Sequence, residues 1–197
     1  MPSKPLLFPP SLNAAQRETI RIATRRLPPL TGAPVRVVFQ PSLRAWRGRL
    51  LIESDRGHEV HAAAFVRERR VVLESALLAD RRECSRILVH ELFHFSWLRL
   101  GNPRRRSWEQ LLRAEWKRHA RGELGWSSEW RKAALTAGDL RERSRRWREY
   151  ACESYCDTAA WLFSTINAHG EYTLAARHRE LRRHWFRDNL PAAGIPI

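Results

Sequence analysis

Short apolar runs alternate with turn residues in the N-terminal third of the chain. Val35–Phe39 and Arg49–Glu53 are rich in branched aliphatic residues, which predicts two short strands. Val60–Val66 and Arg70–Glu74 have the same character and flank the polar triplet Arg67–Arg69. Two strand-like runs joined by so short a polar link predict a β-hairpin.

The rest of the chain has the apolar spacing of helices. A helix from about Leu12 to Arg26 is predicted ahead of the strands, with Ser11 as its N-cap and Pro28-Pro29 as its stop. After the strands, helices are predicted at residues 80–101, 107–121, 127–136, 140–165 and 172–189. Strands first and helices afterwards predict an α+β domain.

The clearest of these helices begins near Asp80 and ends before Gly101. Asp80 followed by Glu83 resembles a capping box, and Gly101-Asn102-Pro103 is a stop signal. Its apolar residues have the spacing of a buried helix face: Ile87, Leu88, Leu92, Phe95 and Leu98. Polar side chains inside so apolar a helix are costly to bury unless they have partners.

This apolar helix nevertheless contains an HExxH motif, His90-Glu91-Leu92-Phe93-His94. Residues four apart lie on one face of a helix, so both imidazoles can bind one metal ion. The glutamate between them then stands beside an open coordination position, where it can accept a proton from water. The alternative is that both histidines are core residues with ordinary hydrogen-bond partners.

A third ligand is expected from elsewhere in the chain. Glu153 and Asp157 stand one helical turn apart within residues 149–170, a segment that has no Lys or Arg. A glutamate can complete a site of two histidines, and a second carboxylate can accept the remaining N–H of a ligand histidine. An acidic segment without local cations suits a divalent metal ion.

The combination resembles the gluzincin metallopeptidases, in which HExxH is followed by ExxxD on a later helix. The matching residues are His90, Glu91, His94, Glu153 and Asp157. The resemblance implies a zincin-like fold, with a small N-terminal β-sheet followed by the HExxH helix and a helical C-terminal half. It also implies that His90, His94 and Glu153 bind Zn²⁺. In the same family Glu91 would be the general base, and Asp157 would orient a histidine.

Other residues compete for the third position. Glu149 lies one turn before Glu153, and its alternative role is an ion pair with Arg145 or Arg146. His119 would complete an all-histidine site resembling that of the SprT/Spartan proteases, although 24 residues separate it from His94.

Two cysteines also stand four apart in this region. Cys152 occupies the place before the third ligand where the larger gluzincins often have Asn, and Cys156 follows one turn later. Thiolates bind zinc well. A buried free cysteine, however, behaves mostly as a small apolar residue, and we interpret both as core residues.

The length of 197 residues suits one domain with a sizeable core, and we expect a single domain over residues 1–197. The proline-rich residues 1–10 are expected to be a flexible lead-in that lacks the apolar run of a signal peptide. No segment approaches the roughly 18 apolar residues of a membrane span. Three cysteines do not make a disulfide framework. These features predict a cytoplasmic protein.

The net charge of +15 raises the alternative of a nucleic-acid-binding protein. Residues 95–148 contain fifteen Lys and Arg against six Asp and Glu. Tryptophans are interleaved with them at positions 108, 116, 126, 130 and 147. We favour the interpretation that these tryptophans are core and the arginines a solvated face, so that residues 99–148 bind nucleic acid only weakly.

The sequence therefore predicts a zinc-dependent metallopeptidase acting on a peptide or protein substrate. The alternative is a nucleic-acid-associated SprT-like protease, or a basic nucleic-acid-binding or regulatory protein with an idle zinc site. Gluzincins commonly stabilise the oxyanion with a Tyr or His beyond the third ligand, and Tyr172, His178 and His184 are the candidates here. Ala62–Ala64 suit either an extended substrate against an edge strand or packing under the HExxH helix.

Overall fold

Strands dominate the N-terminal third of the molecule and helices the remainder, so the structure is α+β as predicted. The computed structural model describes residues 5–197. Its strands are β1 (Leu6–Leu7), β2 (Leu30–Thr31), β3 (Val35–Gln40), β4 (Leu43–Trp46), β5 (Arg49–Ile52), β6 (His58–Glu59), β7 (Ala62–Phe65), β8 (Arg70–Glu74) and β9 (Ile195–Pro196). Its helices are α1 (Ala14–Thr24), α2 (Arg81–Arg99), α3 (Asn102–Lys117), α4 (Trp126–Ala133), α5 (Ala137–Glu142), α6 (Arg145–Phe163) and α7 (Ala176–Asn189), with a 3-10 helix at Ser75–Ala79.

The main sheet has the strand order β1-β3-β8-β7. Strand β8 pairs in parallel with β3 and antiparallel with β7, so the predicted hairpin is confirmed. Its register places Ala62 opposite Leu73 and Ala64 opposite Val71. Because β7 is the last strand in this order, one side of its backbone has no partner strand among the described residues.

Part of the expected flexible lead-in is ordered. Residues 1–4 lie outside the part that the structure describes, but Leu6 and Leu7 pair in parallel with Val35 and Arg36. The amide of Val35 also donates to the carbonyl of Pro5 at 2.9 Å. Backbone pairing with a buried strand therefore holds the second half of this segment.

The start of α1 corrects the predicted N-cap. Asn13, not Ser11, caps the helix, because its side chain accepts from the amide of Gln16. The amide of Asn13 in turn donates to Oε1 of the Gln16 side chain, which completes a capping box. This reciprocal pair satisfies two amides that would otherwise have no intrahelical partner.

Helix α2 begins and ends where the sequence predicts. The Asp80 side chain accepts from the amides of Arg82 and Glu83. The helix ends at Arg99, and Gly101 adopts a φ of 78°, a region that glycine enters without the usual Cβ penalty. The same three residues also begin the next helix, because α3 starts at Asn102 and not at the predicted residue 107.

The helix predicted at residues 140–165 is two helices. Arg143 has a left-handed backbone (φ 51°) and ends α5, and Ser144 then caps α6 by accepting from the amide of Trp147. The last predicted helix is shorter than expected at its start. Residues 172–175 form a loop in which the amides of Thr173 and Leu174 donate to the carbonyl of Glu123.

Helix α2 lies at the centre of the packing, against α1, α6 and strand β7. Fully buried aromatic side chains fill the space between α2, α3, α6 and α7; they include Phe93, Trp108, Tyr155 and Phe186. Stacking is close, with the rings of Tyr155 and Phe186 separated by 4.9 Å. The HExxH helix is therefore anchored from several directions, which fixes the direction in which its polar side chains project.

A buried ion-pair network fixes the loop that leads into α4. The guanidinium of Arg182, on α7, lies 2.7 Å from carboxylate oxygens of both Glu115 and Glu123. Burial alone would raise the pKa of Glu123, but the charges of Arg182 and Lys132 lower it to about 2. The network ties α3 and α7 to residue 123, two positions before the turn that starts α4. None of the helices within residues 5–197 is long and apolar enough to cross a membrane.

Candidate metal centre

The HExxH residues of α2 lie together at the surface of the core. The rings of His90 and His94 are 5.0 Å apart and inclined at 75°. Glu91 lies between them in sequence and is buried. Burial raises the pKa of the Glu91 carboxyl, although the neighbouring histidines act in the opposite direction. A carboxyl whose pKa is raised in this way is a better proton acceptor than a solvated one.

Helix α6 supplies two carboxylates to His90. The Nδ1 atom of His90 lies 2.7 Å from Oδ1 of Asp157, and its Nε2 atom lies 3.3 Å from Oε2 of Glu153. Burial would lower the pKa of His90, but Asp157 and Glu153 raise it well above its usual value. A bond from Nδ1–H to Asp157 leaves Nε2 as the ring nitrogen available for a metal ion.

Glu153 is surrounded by donors. Its Oε2 atom accepts a hydrogen bond from the hydroxyl of Ser127 at 2.5 Å, and Oε1 lies 3.5 Å from Nη2 of Arg131. Burial would raise the pKa of Glu153, yet the hydrogen bond from His90 and the nearby positive charges hold it far below its usual value. The group is therefore an ionised carboxylate at neutral pH.

The other histidine contacts sulfur. The Nδ1 atom of His94 lies 3.5 Å from Sγ of Cys152 and 3.6 Å from Sγ of Cys156. A hydrogen bond from Cys156 and the charge of His94 lower the pKa of Cys152 to about 6, against the effect of burial. The interpretation of these cysteines as core residues is confirmed, because Cys156 is buried in the core and Cys152 packs against it. In addition, both sulfur atoms contact His94.

The donor atoms of His90, His94 and Cys156 all lie within 4.8 Å of one another. These three residues could hold a metal ion. Glu153 lies next to His90 but is not part of this close group. The site therefore offers two candidates for the third ligand, a carboxylate on the open side and a thiol on the buried side.

The first turn of α4 completes the surroundings of the carboxylates. The amide of Ser128 donates to Oδ2 of Asp157 at 3.0 Å, and the amide of Trp126 donates to Oε2 of Glu171 at 2.8 Å. Gly125 has no room for a side chain, since an added Cβ would lie 2.3 Å from Cγ of Asp157. Sequence reasoning placed a helix start here but missed these contacts with α6. The small residues Gly125, Ser127 and Ser128 are the local sign of so close an approach.

Two adjoining cavities form a cleft over the HExxH residues. The larger, about 480 Å³, is lined by strand β7 and by apolar side chains that include Trp97, Leu98, Trp126 and Trp130. The smaller, about 360 Å³, is more polar and is lined by Glu59, His61, Arg86 and Glu171. His90 and Glu91 line both. Among the candidate ligands, His90 lines both cavities, and His94 and Glu153 line the larger one.

The remaining candidates lie elsewhere. Glu149 is ion-paired with Arg145 at 2.7 Å, and His119 is exposed at the turn after α3. Tyr172, His178 and His184 do not line either cavity as described over residues 5–197. Tyr172 and His178 are buried, and His184 lies exposed on α7.

The tryptophans of the basic segment divide into two groups. Trp108 and Trp147 are fully buried and Trp116 packs against the core, as the favoured interpretation predicts. Trp126 and Trp130 are instead 66% and 46% exposed and line the larger cavity. Trp130 also lines a small neighbouring cavity with Ala134, Arg146 and Glu149.

Comparison with protein-family models, with curated proteins and with solved structures finds no match to this chain. The class of site is consequently defined by its own geometry. It is a cleft in which two imidazoles from one helix meet the carboxylates of another.

Proposed function

We propose that the protein is a zinc-dependent metallopeptidase with a zincin-like fold, similar to the gluzincins. One observation carries the proposal: α6 brings Glu153 to Nε2 of His90 while Asp157 contacts Nδ1 of the same ring. This arrangement matches a metal site in which one carboxylate is a ligand and the next orients a histidine. When bound, zinc would supply a Lewis acid that polarises a carbonyl and acidifies water.

In this proposal His90, His94 and Glu153 hold the zinc ion. The donor set fits, because both histidines use Nδ1 for other contacts and Glu153 is ionised. Cys156 is the competing third ligand. Its sulfur lies near Nδ1 of His94 and is buried, so a metal ion bound to it would lie outside the cleft. Catalytic zinc needs an open position that substrate can reach, which favours Glu153.

Glu91 is the general base of the proposed reaction. It lines both cavities, so water in either can reach its carboxylate. The carboxylate accepts the proton of the attacking water and later delivers it to the leaving amine. The raised pKa of Glu91 favours the first of these steps.

Strand β7 offers a place for an extended peptide. It is the last strand of its sheet, and its residues Ala62–Ala64 line the larger cavity and are small and only half-buried. A peptide can add to such an edge through main-chain hydrogen bonds, which do not depend on its sequence. Trp126 and Trp130 form the opposite wall, so apolar side chains of the substrate would be buried between wall and strand.

The test uses purified protein, metal analysis and cleavage of an unfolded protein such as casein. The wild type is expected to carry roughly one zinc per chain and to hydrolyse the substrate. Glu91→Gln is the matched variant, since the amide keeps the shape of the side chain but cannot accept a proton. It should keep the zinc and lose hydrolysis. Equal hydrolysis by wild type and variant, or wild-type protein without zinc, would contradict the proposal.

A further inference from the structure

The proposed hydrolysis needs a donor for the oxygen that becomes negative. When water adds to the peptide carbonyl, a C–O bond forms and the π electron pair moves onto the carbonyl oxygen. Preorganised donors aimed at that oxygen are usually a large part of catalysis. Tyr172, His178 and His184 do not line the cleft described for residues 5–197, so the donor has another source.

We propose that Arg131 is this oxyanion donor and therefore a catalytic residue. The inference rests on the proposed peptidase function. Arg131 lines the larger cavity together with His90, Glu91, His94 and Glu153. Among the residues lining that cavity, it is the one that carries a permanent positive charge.

The guanidinium is held in place by three contacts. Nη1 donates to the carbonyl of Ser127 at 2.6 Å, and the group lies 4.3 Å from the ring centre of Trp130. Nη2 lies 3.5 Å from Oε1 of Glu153, which is too long for a strong hydrogen bond. Arginine has five N–H donors, so Nη2 keeps donors for a substrate oxygen. The side chain is only 25% exposed, which limits the water that competes for them.

Two other donors near the cleft, the Arg86 guanidinium and the Ser127 hydroxyl, are already engaged. Arg86, in the smaller cavity, binds Glu83 at 2.7 Å and Glu171 at 3.0 Å. The hydroxyl proton of Ser127 is donated to Glu153. Arg131 is the donor that combines a fixed charge, a fixed position and free N–H groups.

The step is balanced by groups already assigned. Water forms the new C–O bond, Glu91 takes its proton, and Arg131 donates hydrogen bonds to the oxygen that receives the π electrons. Collapse restores the C=O bond and breaks the C–N bond, and the Glu91 proton passes to the amine. Arg131 neither gains nor loses a proton, which suits a side chain that stays charged throughout.

Arg131→Met tests the assignment, because methionine keeps the aliphatic length and removes charge and donors. The assays are kcat and KM on a peptide substrate, affinity for a phosphinic peptide that carries a tetrahedral anionic oxygen, and zinc affinity by chelator competition. We expect kcat to fall about 100-fold with KM nearly unchanged. Phosphinic-peptide affinity should fall with kcat, and zinc affinity should stay at the wild-type value. Arg131→Lys should recover part of kcat.

Arg146→Met is the matched control, because Arg146 is an exposed neighbour on α6 that does not line the cleft. It removes the same charge and should change none of the three quantities. Wild-type kcat in Arg131→Met would overturn the assignment. So would a loss of zinc affinity that accounts for the loss of kcat, since Arg131 would then only position Glu153. A zinc-loaded wild type that cleaves no peptide would overturn the proposed function itself, and the assignment with it.

Discussion

The choice of third ligand is a contest between two side chains that differ in access. Glu153 lines the larger cavity and lies 3.3 Å from Nε2 of His90. Cys156 is buried, and its sulfur lies 3.6 Å from Nδ1 of His94. A thiolate binds zinc more strongly than a carboxylate in many sites, so affinity alone does not decide. Position favours Glu153 in the proposed enzyme, because Glu153 lines the cleft and Cys156 does not.

Single substitutions separate these candidates. If the proposed site is correct, Glu153→Ala removes most of the zinc, because it deletes one of the three proposed ligands. Cys156→Ala should keep most of it, with a modest loss of affinity because one sulfur contact to His94 is removed. Zinc per chain, measured by atomic spectroscopy after dialysis, checks both.

Two residues serve as controls for this prediction. Glu149→Ala removes an exposed carboxylate one turn earlier on α6, and His119→Ala removes the alternative histidine ligand. Both should bind zinc as the wild type does. If Cys156→Ala emptied the site while Glu153→Ala left it full, the metal centre would be the buried His90–His94–Cys156 group. If His119→Ala emptied it, the SprT-like alternative would replace the gluzincin-like one.

Among the elements, the junction of α4 with α6 is the tightest packing at the site. Gly125 approaches the carboxylate of Asp157 so closely that a methyl group would overlap all three of its terminal atoms, at 2.3–2.6 Å. The backbone of Gly125 is extended, so the requirement for glycine comes from space and not from its φ. The position of α4 and the orientation of His90 therefore depend on the same carboxylate.

Gly125→Ala should disturb both the position of α4 and the orientation of His90. Displacing α4 or Asp157 is expected to destabilise the fold by about 1–3 kcal/mol, as other overpacked sites do. Zinc affinity should fall roughly 10-fold or more, because Asp157 would no longer orient His90. Urea unfolding and chelator competition measure the two effects.

Gly170→Ala is the control, since no atom lies within 4 Å of an added Cβ there. It should change neither quantity by a measurable amount. Gly125→Ala with wild-type zinc affinity would mean that α4 moves away without carrying Asp157 with it.

The elements also mark where sequence reasoning succeeds. The start of α2 at Asp80 and the β7–β8 hairpin were predictable, because capping and tight turns depend on residues close in sequence. The pairs His90/His94 and Glu153/Asp157 were visible for the same reason, being one turn apart on their helices. That Asp157 meets His90 followed only from the resemblance to a family, and the geometry agrees with it.

Other features depended on contacts distant in sequence. The break between α5 and α6 occurs at Arg143, which has a left-handed backbone although it is not glycine. No local sequence pattern indicates such a residue. The contacts of Ser127 and Arg131 with Glu153 join residues more than twenty positions apart. Leu6–Leu7 was predicted to be flexible because its partner, strand β3, lies almost thirty residues further along the chain.

For the whole molecule, the net charge of +15 is the dominant long-range property. It attracts any polyanion at low ionic strength, whatever the shape of the surface. Arg104, Arg105 and Arg106, at the start of α3, belong to the basic segment from which nucleic-acid binding was considered. Of its five tryptophans, two are buried, one packs against the core and two line the cleft, so three of them are not free to stack on bases.

We therefore predict weak binding to single-stranded DNA that is lost near 150 mM salt, where the Debye length is about 8 Å. Reversing Arg104, Arg105 and Arg106 to Glu should weaken binding at low salt and leave the zinc content unchanged. Fluorescence anisotropy across a salt series measures the affinity and its slope.

The control is a second triple reversal to Glu outside the basic segment, at the exposed residues Arg47, Arg49 and Arg56. Both variants should lose similar affinity, because overall charge is the cause. Tight binding at 150 mM salt that only the first variant abolishes would contradict this expectation. It would make nucleic acid a specific partner of the basic segment.

Helix α4 has a dependence on its surroundings that its sequence does not reveal. It is only eight residues long, and its N-cap, Gly125, offers no capping side chain. So short a helix is not stable by itself. The groups of its first turn instead donate to Glu153, Asp157 and Glu171.

The first turn of α4 is thus capped by acidic groups of the site that this helix borders. Helix α4 and His90 therefore depend on the same two carboxylates, Glu153 and Asp157. A change that neutralises or displaces those carboxylates would remove the hydrogen bonds of the first turn of α4 together with the acidic groups that face His90.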